Sequence, residues 1–173
     1  MMSVSTFDPK LAKQMMDAAI GYSTEKSGHR STEQTLSAIR TGDCLVCDYL
    51  RHGLAQRVAE YLGSVDGTVR ALYVYEPEYS TPVDGSGPPR PSLSPGINMI
   101  AWVSRKSAAL SSLVGLVSSS LAEEFRRMSC PRANPACFML QVQIVDDEEV
   151  SRRQGYGALI ESLYVRPIEV WRR

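Results

Sequence analysis

Residues 77–96 set the frame for everything on either side of them. This stretch holds most of the chain's ten prolines, interleaved with glycine and serine. Proline fixes φ and has no backbone N–H to give, so the segment can supply neither a helix interior nor a central strand. It reads as a flexible Pro-rich loop, and from Ser80 to Pro95 it offers no nucleophile, base or ligand chemistry. It separates a helical segment, 8–63, and one strand from the remainder of a sheet-plus-helix region, 68–173.

Ahead of the loop the helix signals are explicit. Asp8-Pro9 opens a first helix, because Asp accepts from free backbone N–H groups and Pro at the first position loses nothing. Leu11, Met15, Ala19 and Tyr22 share its face, and the pattern predicts a helix to about Ile20. Ser31 with Gln34 forms a capping-box signature for a second, short helix that Gly42 ends. Asp43 then caps a third, in which Leu50, Leu54, Val58 and Leu62 recur every four residues and Gly63 stands where a helix stop belongs.

The strand signals flank the loop. Thr68 to Glu76 places Val69, Ala71, Tyr73 and Tyr75 on one face, and Ile97, Met99, Ala101 and Val103 alternate in a second strand. From Ser107 to Met128 an apolar stripe runs through Leu110, Leu113, Val114, Val117, Leu121 and Phe125. Phe138, Leu140, Val142 and Ile144 alternate with Gln141 and Gln143 in a third strand, and Ala158 to Val165 reads as a fourth. The expected fold is α+β: a mainly antiparallel sheet of about four strands, with helices on one face and one long crossover helix packed across it.

At 173 residues the chain has the size of one domain, 1–173, and with 43% hydrophobic and 22% charged residues it has the composition of a folded one. Lys+Arg and Asp+Glu are both 19, so no global field favours a polyanion or an acidic membrane. No uninterrupted apolar run approaches the length of a membrane helix, and Met1 to Lys10 lacks the basic-then-apolar order of a secretory signal. A cytoplasmic location is the expectation, with no membrane partner, and the four cysteines read as thiols or metal ligands ahead of disulfides.

Those cysteines are the strongest chemical candidate. Cys44 and Cys47 stand two residues apart at the start of the third helix, and Cys130 and Cys137 flank a proline-containing loop. Four thiolates in two pairs can close a tetrahedral zinc site, although the six-residue spacing of the second pair is loose. The alternative is four small, buried hydrophobes. Thioredoxin-like redox use is disfavoured by Asp43 and Asp48, whose charges raise the thiol pKa. His52 and His29 read as packed or surface residues, and Asp146, Asp147, Glu148 and Glu149 as a solvated turn. Tyr73, Tyr75 and Tyr79 lack the basic neighbours that a nucleic-acid surface needs, so nucleic acid is not an expected partner.

Arg152-Arg153-Gln154-Gly155-Tyr156-Gly157 has the R-x-x-G-x-G form of a pyrophosphate-cradling loop. It resembles the acetyl-CoA loop of the GCN5-related acetyltransferases, and Ile160 to Pro167 resembles the strand beside that loop in the same family. The resemblance implies an acyl-CoA-dependent enzyme. In this chain the glycines precede the strand, the reverse of the family's order, and the residues themselves read as a hairpin bend at Gly155-Tyr156-Gly157.

Three functions follow as expectations. The first is a non-catalytic interaction or ligand-binding module whose partner is itself, as a homodimer, or another protein, with the sheet and Val170-Trp171 as the self-association surface. The second is a structural zinc protein using Cys44, Cys47, Cys130 and Cys137. The third is the acyl-CoA-dependent enzyme; on the residues alone, catalysis is not expected.

Overall fold

The computed structural model describes residues 7–75, 96–129, 139–162 and 166–173. Nearly all of the Pro-rich loop, together with Cys130, Cys137, Phe138 and Tyr79, lies outside these residues. The described chain runs α1 (Pro9–Ser27), α2 (Thr32–Thr41), α3 (Cys44–Val65), β1 (Val69–Val74), β2 (Ile97–Val103), α4 (Ala108–Ser129), β3 (Leu140–Asp146), α5 (Asp147–Ser151), α6 (Gly157–Ile160) and β4 (Ile168–Arg172).

The three N-terminal helices start where their caps predict. The side chains of Asp8, Ser31 and Asp43 accept from the backbone N–H groups of Lys10, Gln34 and Val46 at 2.9, 3.2 and 3.1 Å. Their ends differ from expectation. α1 continues past Ile20 to Ser27, where Gly28 closes it in the left-handed conformation at φ 70°. α3 passes through Gly63 to Val65. Gly63 is not a stop: the Trp171 ring of β4 lies on its Cα, and a Cβ there would overlap the indole.

The sheet has the order β3-β2-β1-β4. β1 pairs antiparallel with both β2 and β4, while β2 and β3 run parallel from Ile97↔Leu140 to Val103↔Asp146. The fold is α+β, and the sheet is mixed rather than purely antiparallel. The cause is the 22-residue α4, which carries the chain back along the sheet so that the next strand starts from the same end.

Three further expectations are corrected. The span Ala158–Val165 is not the last strand: α6 occupies Gly157–Ile160, residues 163–165 fall outside the described residues, and β4 begins at Ile168. Asp146 to Glu149 is not a solvated turn, because Asp146 caps α5 and Glu149 returns the bond in a full capping box. Nor do the helices all lie on one face. Val69, Leu72, Met99, Ala101 and Val103 pack with α1, α3 and α4 in the main core, whereas Ala71, Tyr73, Ile100 and Val145 pack on the other side with Val150 of α5 and Leu159 and Ile160 of α6. A bulge between Val69 and Ala71 shifts the alternation, which is why Val69 does not share a face with Ala71 and Tyr73.

Candidate functional site

The second face of the sheet carries a cluster of aromatic and ion-paired side chains. Tyr75 leaves the end of β1 and meets Tyr156, from the turn before α6, with ring centroids 5.8 Å apart at 50°. Tyr156 keeps 41% of its surface exposed. Burial pushes the Tyr75 hydroxyl up to about 12, and the neighbouring Tyr156 acts in the same direction. Beside the pair, half-buried Trp102, Leu159 and Ile160 continue the apolar surface.

Ion pairs rim this patch. Asp147 accepts from Trp102 Nε1 at 2.8 Å and from Arg70 Nη2 at 2.6 Å, and Glu149 pairs with Lys106 at 2.7 Å. Toward β4, Arg172 Nη2 donates to the Tyr73 hydroxyl at 3.1 Å and pairs with Glu169 at 2.5 Å. That pairing holds the Glu169 carboxyl below its usual range, while burial raises the Tyr73 hydroxyl. The acidic run is therefore divided among separate tasks: Asp146 and Glu149 cap α5, Asp147 anchors it to β1 and β2, and Glu148 pairs with Arg152 at 2.9 Å. Such carboxylates do not converge on a common point.

The thiol pair stands elsewhere, on the first turn of α3. Cys44 is exposed and Cys47 half-buried. Burial raises the Cys47 thiol, opposed in part by Arg51 one turn on, and this is the opposite of the depressed pKa a redox thiol requires. Cys130 and Cys137 lie outside the described residues. The chain just ahead of them is tied down, however: Arg40 Nη2 donates to the carbonyl of Met128, near the end of α4, at 3.0 Å. Among the described residues, no group of three or more His, Cys, Asp or Glu side chains could hold a metal ion.

The remaining candidates have structural roles. His52 packs on Tyr22 with ring centroids 6.0 Å apart, and His29 Nδ1 lies 3.0 Å from Thr35 Oγ1. Gly155 adopts φ 51° in the turn between α5 and α6, and Gly157 lies against the α5 backbone, where a Cβ would come within 2.6 Å of the Glu149 carbonyl. Trp171, expected to face a partner, is half-buried over α3. Arg173 stacks on it at 5.9 Å and donates to the carbonyls of Gly63 and Gly67 near the end of that helix.

No protein-family model, curated protein or solved structure matches this chain. No described helix is long and apolar enough to cross a membrane. Of the second face, the sequence singled out Tyr73 and Tyr75, placed Asp147 in a solvated turn and Tyr156 in a hairpin bend, and gave no role to Trp102. The available signal was β2 itself: Ile100 and Trp102 are apolar between Met99, Ala101 and Val103, the mark of a strand covered on both sides.

Proposed function

We propose that the protein is a non-catalytic interaction module that binds a partner on the second face of its sheet. The observation that carries this reading is the Tyr75–Tyr156 pair, which leaves an aromatic surface half-open beside Trp102, Leu159 and Ile160. Aromatic side chains with a polar tip are favoured where apolar surface is buried without loss of hydrogen bonding. The acid–base pairs around the patch neutralise one another, so the surface suits an uncharged apolar or aromatic protein segment better than a polyanion. An NMR fragment screen tests it. Hits should gather at Tyr75, Trp102 and Tyr156, and a screen whose hits gather elsewhere, or that yields none, removes the reading.

A second reading is a zinc-clamped fold using Cys44, Cys47, Cys130 and Cys137. It is favoured by the Arg40–Met128 bond, which joins the residue four before Cys44 to the residue two before Cys130. One zinc per chain, with unfolding on chelation, is the expected result. Protein purified without metal and carrying four titratable thiols overturns it.

A further inference from the structure

The two edges of the sheet are finished differently. β4 has five residues, a register break against β1, charges at Glu169 and Arg172, and the Trp171–Arg173 contact with α3 behind it. Shortness, irregularity and charge are the devices by which edge strands avoid further pairing. β3 lacks them up to its last residue, Asp146. It runs seven residues in unbroken register with β2, and Leu140-Gln141-Val142-Gln143-Ile144-Val145 contains no charge, proline or glycine.

Among the described residues the two ends of that edge are occupied, Leu140 by Ser118 and Asp146 by Glu149 Oε2, which accepts from the Asp146 N–H at 3.0 Å, so Val142 and Ile144 between them are open. Ser118 Oγ donates to the Leu140 carbonyl and accepts from the Leu140 N–H. From Gln141 to Val145, among the described residues, β2 is the sole neighbouring strand. The side-chain amides of Gln141 and Gln143 make no hydrogen bond among the described residues, although Gln143 is half-buried and each amide carries donors and acceptors.

We propose that the outer edge of β3 pairs with the same edge of a second copy, antiparallel about a two-fold axis at Gln143. This goes beyond the second-face reading, because it uses a different surface, and it rests on that reading only for the view that association is the protein's role. An isologous contact requires a self-complementary strand, and this register supplies one. Gln143 meets Gln143 of the second copy, so two unpartnered amides can bond each other. Val142 meets Ile144 of the second copy on the α4 side, which extends the main core across the junction. Asp146 falls opposite Leu140 and is already engaged in the α5 cap, so no like charges are opposed. The product is a continuous eight-stranded sheet.

Sedimentation velocity on the full chain across the micromolar range tests this. The wild type should be a dimer, Gln143→Lys and Gln143→Glu should each be monomeric with unchanged circular dichroism, and their equimolar mixture should dimerise again. Gln141→Lys, at an exposed position, gives the same test if Gln143 variants fail to fold. A monomeric wild type, a dimeric Gln143→Lys, or a mixture that stays monomeric overturns the proposal. Fragment binding at Tyr75 and Tyr156 in a monomeric wild type would sink the self-pairing and leave the interaction module standing. Dimerisation through β3 with no binding on the second face would do the reverse to that surface.

Discussion

The same three strands, β1 to β3, present residues to both faces of the sheet, yet the two faces differ in kind. On one, Leu72, Met99 and Val103 lie fully buried under α1, α3 and α4, helices of 19 to 22 residues. On the other, helices of five and four residues cover Ala71, Tyr73, Ile100 and Val145, and the rings at their margin stay half-open. A cover that short removes little apolar area from water, so α5 depends on its capping box and on bonds to Arg70, Trp102 and Lys106 for its position. Exposed ion pairs each contribute little, which makes the second face the softer one.

The sharpest way to break this contrast is a matched pair of truncations. Leu72→Ala, fully buried on the main-core side, should cost about 3–5 kcal/mol, and Val150→Ala on the second face about 1–2 kcal/mol, both read from urea unfolding. Equal costs would mean that the second face carries as much of the fold as the first. Next in size is Gly63→Ala. A Cβ forced against the indole should destabilise by about 2–3 kcal/mol, whereas Gly21→Ala, with open space around it in α1, should stabilise by about 0.5–1 kcal/mol.

Smaller again is Asp147→Ala, which strands the Trp102 N–H and frees Arg70. A loss of about 1–2 kcal/mol and a red-shifted Trp102 fluorescence are expected, and an unchanged spectrum would show that α5 does not rely on this anchor. The smallest effect is alkaline. The Tyr75 hydroxyl titrates higher in the folded protein, up to about 12, than the ordinary 10 of the unfolded chain. Its contribution is therefore complete below pH 10 and lost as pH rises toward 12, so stability should fall across that window. Tyr75→Phe should flatten the fall; an unchanged slope in that variant would assign the alkaline loss to another group.

Where local chemistry decided an element, its sequence was enough to read it. Asp8, Ser31 and Asp43 start their helices because a side-chain acceptor next to free N–H groups acts without tertiary help. What escaped was set by distant contacts. Gly63 looked like a stop because the indole that requires a glycine there arrives from Trp171. α5 and α6 are too short to show a periodicity, and the bulge in β1 leaves no mark that distinguishes Val69 from Ala71 until β2 is aligned beside it. In the candidate surface, Tyr73 and Tyr75 were legible from strand alternation, whereas Tyr156 and Asp147 are brought to them by α5 and α6.

The attachment of β4 also has a consequence for the order of events in folding. Helices α1 and α3 are close along the chain, and closing the short segments between them costs little entropy. β4 instead joins a strand formed some hundred residues earlier, and its latch, Arg173 to Gly63, spans 110 positions. Contacts of such separation form late and raise the barrier. The helical half should therefore be protected from amide exchange first on refolding, β4 last, and the β1 edge that β4 covers should be the interval during which a folding chain is most open to mispairing.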